Sequence, residues 1–249
     1  INAAERRLPD QGARVKFWAG KVGLQDDQVA AVISDYAKFS NLLRSRLMKR
    51  GGVGYVQPSP QSFPTIEEYH RLIVACGAVP CATWLDGTSA GEESYEELLG
   101  LLVAKGIVAL NIVPDRNWNI ADSKQAEVKQ RKLYEVVALA QAFDLPLNVG
   151  TEMNSPGQKF VDDFGTGELE PLLPVFLTGA YIVYAHSVLQ QQCGLGYTSP
   201  WAERHFRDRA ARNEFFAAVG RSIQPDRETK LSALGETTTP EEVLRQVEQ

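Results

Sequence analysis

The chain has 249 residues, of which 44% are hydrophobic and 23% charged, and a net charge of −5; it is long enough to bury the core of one large or two small domains. The negative balance speaks against general nucleic-acid binding, which needs a basic surface. No uninterrupted apolar run reaches the ~18–20 residues of a membrane span, no signal-peptide pattern is present, and Cys76, Cys81 and Cys193 lack CxxC or metal-finger spacing, so they read as buried free thiols.

Residues 1–22 are polar without a steady period. Asp26 and Asp27 open a helix in which Val29, Val32, Ile33, Tyr36, Phe39, Leu43 and Leu47 recur at helical spacing. Arg44, Arg46, Lys49 and Arg50 fall in its last turns, where cations complement the helix dipole, and Gly51-Gly52 ends it. A solvated helix end is the plainer reading of this cluster, a phosphate site the sharper one. Tyr55-Val56-Gln57 is a short strand candidate, followed by a proline-rich connection. Thr65 and Glu68 form a capping box for a helix that Gly77 stops.

Strand and helix then alternate. Residues 79–85 read as a buried strand, Ser94 and Glu97 as a second capping box, and Leu98, Leu101, Leu102 and Val103 carry the helix behind it to Gly106. A strand over 107–113, a long helix over 124–143 and a strand at Leu147–Val149 follow. Residues 169–178 read as a proline-broken helix, 181–184 as a last strand, and 201–219 as a final helix. A polar tail closes with a short helix begun at Thr239-Pro240.

About five alternations point to a parallel sheet with crossover helices. No strand is followed by GxGxxG, and no GxxxxGK[ST] occurs, which removes the usual signal of an open nucleotide-binding sheet. Polar groups end nearly every strand, the arrangement of a (β/α) TIM-like barrel. Five strands do not close one, so the barrel is either incomplete or distorted. The expected division is an N-terminal helical segment 1–52, a barrel-like region 53–222 and a polar C-terminal tail 223–249.

The strand ends supply the candidate site. Glu152, with Asn154 beside it, follows the strand at Leu147–Val149 and could ligate a metal or act as a base. His186 follows the run 181–185, where a neutral imidazole ligates zinc or manganese or shuttles a proton; its bland alternative is a hydrogen-bonded core histidine. Asp86, before Gly87, could hold a metal or cap a turn. Arg116, between Asp115 and Asn117, could grip an anion through its planar fork or pair with Asp115. His70 and His205 read as structural or surface residues. Ser187 lacks the GxSxG elbow of a serine hydrolase.

The segments GAVPCATWLDGTSAGE, NIVPDRNWNI, LPLNVGTEMNSPGQKFVDDF and AYIVYAHSVLQ together resemble the latter part of PHP-type (polymerase and histidinol phosphatase) metal-dependent hydrolases, and more loosely amidohydrolase-like barrels, over roughly residues 54–220. The resemblance implies a distorted barrel in which strand-end histidines and carboxylates hold divalent metals, and metal-activated water attacks a phosphoester. It implies Glu152 and His186 as metal ligands; together with the strand-end reading, the expected site has Glu152, His186 and Asp86 holding Zn, Mn or Mg, Glu152, His186 and Arg116 catalytic, and Asp115, Arg116, Asn117 and Asn154 contacting substrate. The family's first-strand histidine-x-histidine pair is absent, and Tyr184 stands where its last-strand acid would be. Either strands upstream of Ile1 belong to the intact protein, or the branch has shed its metal cluster.

These features lead to the expectation of a cytoplasmic metal-dependent hydrolase acting on a phosphoester or other small anionic molecule, without nucleic-acid or membrane partners, and with an oligomer allowed. A sugar isomerase or lyase on a similar barrel, and a degenerate barrel that binds a ligand without catalysis, are the alternatives.

Overall fold

The computed structural model describes residues 1–151, 153 and 160–248. The chain divides into two compact units, Ile1–Pro64 and, among the described residues, Thr65–Met153 with 160–248. The first is helical: α1 (Asn2–Arg7), α2 (Gln11–Val22), α3 (Asp26–Ala30) and α4 (Tyr36–Leu43), the last running into a π-helical turn, Arg44–Met48. Asp10 caps α2 by accepting from the Ala13 N–H at 2.7 Å, and left-handed Gly23 ends it. Val15, Ala19 and Val22 pack from α2 against Val29 and Phe39. The single helix expected from Asp26 to Leu47 is interrupted because the Asp35 carboxylate accepts from the Lys38 N–H at 3.1 Å, starting a new helix at Tyr36.

The second unit begins with α5 (Ile66–Ala75), whose Thr65–Glu68 capping box is formed as expected. Then come β1 (Cys81–Trp84), α6 (Tyr95–Ala104), β2 (Ala109–Ile112), the one-turn α7 (Asp115–Trp118), α8 (Ser123–Ala142) and β3 (Leu147–Val149). The three strands are parallel in the order β1-β2-β3, with Thr83 beside Asn111 and Asn111 beside Asn148. Because side chains alternate along a strand, Trp84, Leu110, Ile112 and Leu147 lie on one face. They pack against Leu99 of α6 and Leu133, Val136, Val137 and Ala140 of α8. Cys81, Thr83, Ala109, Asn111 and Asn148 belong to the other face, where Cys81 and Thr83 are exposed.

After a 3₁₀ turn (Glu170–Leu172), α9 (Leu173–Cys193) is followed by α10 (Pro200–His205), α11 (Arg209–Ser222), a second 3₁₀ turn (Glu228–Ala233) and α12 (Pro240–Val247). By length and composition Glu170–Cys193 could cross a membrane, but α9 packs as a core helix. A Cβ on Gly179 would lie 1.8 Å from the Leu147 carbonyl oxygen, and one on Gly220 of α11 would lie 2.0 Å from that of Tyr181. Only glycine permits these approaches of backbone to backbone. Ile182, Val188 and Leu189 of α9 share a core with Trp201, Phe215, Phe216, Leu231 and Val243. Residues 223–248 thus contribute three buried side chains, Ile223, Leu231 and Val243, to the second unit.

The TIM-like barrel expected from the sequence is not formed. Among the described residues there is one small sheet of three strands, whereas a closed barrel of this class takes about eight. Tyr181–Tyr184, read as a strand, is the middle of α9, and Tyr55–Gln57 forms no strand with any described residue. The proline thought to break the preceding helix is Pro174, in the first turn of α9, where its missing N–H costs no helical bond. The three cysteines are free as expected, but Cys76 and Cys81 are exposed rather than buried.

Candidate functional site

Two clusters of polar side chains flank the sheet, one beyond each end of its strands. Beyond the carboxyl end of β1 the chain turns through Leu85, Asp86 and Gly87, and buried Glu92 reaches back into that turn. It accepts from the N–H groups of Leu85 at 2.7 Å and Gly87 at 3.1 Å and from the Ser89 hydroxyl at 3.2 Å. Asp86 accepts from the Thr88 N–H and hydroxyl at 3.0 and 2.6 Å and pairs with Lys129 of α8 at 3.0 Å. Burial works to raise the Asp86 pKa, but the Thr88 hydrogen bonds and the Lys129 ammonium together hold it below the ordinary carboxylate value.

At the end of β2, Asn117 of α7 is buried and its amide donates to the carbonyls of Leu85 at 2.9 Å and Val113 at 3.1 Å, tying the ends of β1 and β2 together. Its Oδ1 is buried and has no hydrogen-bond partner among the described residues. Asp162 makes the corresponding tie to β3, accepting from the Trp118 indole and the Thr151 hydroxyl, each at 3.0 Å. Asp115 accepts from the Asn119 amide at 3.2 Å. Arg116 is half-buried beside it and engaged in interactions of its own. Glu152 and Asn154 lie outside the described residues.

His186 is placed elsewhere. It sits in α9, buried, with Nδ1 accepting from the Tyr197 N–H at 3.0 Å, which fixes the proton on Nε2, and Nε2 donating to the Gly77 carbonyl at 3.1 Å. Gly77 precedes β1 and Asp86 follows it, so the two proposed ligands are anchored at opposite ends of a strand about 13 Å long at ~3.3 Å per residue. Burial lowers the His186 pKa, with the Gly77 contact acting the other way. A neutral imidazole with both nitrogens engaged has no lone pair for a metal.

Two of the three residues expected to hold a divalent ion are not brought together: Asp86 is paired with a lysine and His186 is internally satisfied, while the third, Glu152, lies outside the described residues. The described residues contain no group of three His, Cys, Asp or Glu side chains able to share an ion. The other histidines are also structural: His70 Nδ1 meets the Lys105 carbonyl at 2.7 Å, and His205 packs on Trp201.

A concavity on the open face of the sheet brings other residues together. A cleft of about 690 Å³ has Cys81, Ala109 and Asn148 as its floor, α9 (Val183, His186, Ser187, Gln190, Gln191) as one wall and residues 75–79 as the other. Cys81 reaches solvent through this cleft, yet the protein packed around its thiol pushes the pKa up to about 12, so it stays protonated. The Asn148 amide donates to Asn111 Oδ1 at 2.7 Å, leaving Asn148 Oδ1 and Asn111 Nδ2 available beyond the pair. No side chain lining the cleft carries a charge. A second cleft of about 700 Å³, between α6 and α8 on the helical side, is lined by Glu93, Glu96, Glu97 and Glu135 against one lysine, Lys132.

Sequence reasoning passed over Glu92, Asn111 and Asn148. The signal for the asparagines was an amide inside an otherwise apolar strand run. For Glu92 it was the Ser89-x-x-Glu92 spacing at a turn. Comparison with protein-family models, with curated proteins and with solved structures gives no match to this chain, so the functional reading rests on its own geometry.

Proposed function

We propose that this chain binds a small, neutral molecule rich in hydrogen-bonding groups, of the sugar or polyol class, on the open face of its sheet against α9. The observation that carries the reading is the chemistry of that cleft. It offers side-chain amides, a hydroxyl and two thiols without a carboxylate, ammonium or guanidinium, and an uncharged wall compensates neither a phosphate nor an ammonium group. Its volume of about 690 Å³ falls within the ~300–1,000 Å³ of small-molecule sites. Asn148 lines the floor with its amide N–H already given to Asn111, which leaves its Oδ1 to accept from a ligand hydroxyl beside the Gln190 and Gln191 amides of the wall.

This reading favours the ligand-binding alternative over metal-dependent hydrolysis, because Asp86 and His186 spend their lone pairs within the fold. Calorimetric titration with a panel of neutral sugars and polyols, beside their phosphorylated counterparts, tests it. Binding of a neutral member, lost when Ala109→Met fills the floor and weakened by Asn148→Asp, is the expected result. Tight binding of the phosphorylated members alone, or phosphate release that depends on an added divalent ion, would overturn it in favour of a hydrolase.

A further inference from the structure

The first unit carries a surface that the cleft does not use. Residues 1–64 hold ten Lys and Arg against five Asp and Glu, a net of +5, in a chain whose total is −5. Four of the ten, Arg44, Arg46, Lys49 and Arg50, lie within seven residues around the π-helical turn Arg44–Met48, all exposed. None of the four forms an ion pair with a described residue.

Two aliphatic side chains stand out among these cations: Met48 is 66% exposed and Val53 is 90% exposed. Val53 belongs to an ordered turn. The Gly54 N–H donates to the Leu47 carbonyl at 2.8 Å and the Tyr55 N–H to that of Gly52 at 3.0 Å, folding the segment back on the helix end. A Cβ on Gly52 would lie 2.4 Å from the Leu47 carbonyl, so glycine is what lets the turn close there. The result is a tip that carries two exposed aliphatic side chains and, within the same ten residues, four exposed cations without an ion pair among the described residues.

We propose that this tip docks the protein on an anionic lipid surface, with Met48 and Val53 entering the headgroup–acyl boundary and the four cations facing lipid phosphates and carboxylates. Cations alone would suit a nucleic-acid backbone equally, but phosphates give an aliphatic side chain nothing, whereas each CH₂ group moved into lipid is favourable. The surface belongs to the first unit and is independent of the cleft in the second.

Flotation of the full chain with phosphatidylcholine vesicles, with and without phosphatidylserine, tests the proposal. The protein is expected to float only with phosphatidylserine present and to be released by salt. Arg46→Ala and Lys49→Ala should each weaken binding about fivefold, the factor that ~1 kcal/mol per cation represents. Met48→Ser with Val53→Ser should weaken it while leaving the salt dependence in place. All these positions are exposed, and an unchanged circular dichroism spectrum certifies the fold. Equal binding to neutral vesicles, no binding to either kind, or indifference to the substitutions overturns the proposal. So does binding to an oligonucleotide or self-association in sedimentation in place of vesicle binding.

Discussion

His186 shows how one residue's hydrogen bonds decide its chemistry. The same imidazole that a strand-end position would make a ligand is, in α9, a bridge between the Tyr197 N–H and the Gly77 carbonyl. His186→Leu leaves both groups unpaired and should destabilise the fold by roughly 2–4 kcal/mol in urea denaturation. Its folded pKa lies below the ordinary 6.5, so the unfolded chain takes up a proton at a pH where the folded chain does not. This contribution to stability is fully present above pH 6.5 and is lost as pH falls through that value toward the folded pKa. The step between pH 7.5 and 5 should disappear in His186→Leu, and an identical pH profile in both proteins would remove the imidazole as its source. Glu92 is the parallel case among carboxylates. Glu92→Ala, which strips acceptors from the Leu85 and Gly87 N–H groups, should cost roughly 2–4 kcal/mol. Its exposed neighbour Glu93→Ala should change stability by less than about 0.5 kcal/mol, and similar losses at the two sites would show that the turn does not depend on Glu92.

At the scale of elements, α9 separates what the sequence tells from what it hides. The run Tyr181-Ile182-Val183-Tyr184 is aromatic and β-branched, the composition of a strand, and four apolar residues in succession carry no period that distinguishes a buried strand from a buried helix. Burial decides it, because α9 is apolar nearly all round and has neighbours on opposite faces. The strands at 81–84, 109–112 and 147–149 were legible because turn residues bound them and helix-length segments separate them. Capping chemistry was read correctly at Thr65, where the box is formed, and wrongly at Ser94, whose side chain makes no cap bond. Of the site, the polar residues at the carboxyl ends were legible, but their engagement with Lys129, Thr88 and the backbone was not, since those partners come from other elements. Glycine marks the tightest element contact. Gly179→Ala should cost more than about 3 kcal/mol, because the methyl group must displace a backbone carbonyl 1.8 Å away. Gly20→Ala, inside α2 with open space around it, should instead stabilise by about 0.5–1 kcal/mol. Thermal unfolding of the two variants reads the contrast directly, and equal effects would mean that the close approach in α9 relaxes freely.

Over the whole molecule, an average concealed a division. The net charge of −5, which by itself argues against general nucleic-acid binding, is the sum of +5 over residues 1–64 and −10 over the remainder. Whole-chain charge therefore describes neither unit, and partner expectations are better drawn from each separately. The sheet likewise has two unlike sides, one sealed by α6 and α8 and one carrying amides. Between that open side and the aromatic core runs α9, held at Gly179 by β3, at Tyr181 by α11, and at His186 by Gly77 and Tyr197. Three attachments within eight residues have a consequence in time. The amide protons of this stretch can meet solvent deuterium only when all three let go together, so their exchange clock should run at the pace of global unfolding. They should be the last to exchange in the chain, and exchange as fast there as in α6 would show that the three attachments open one by one.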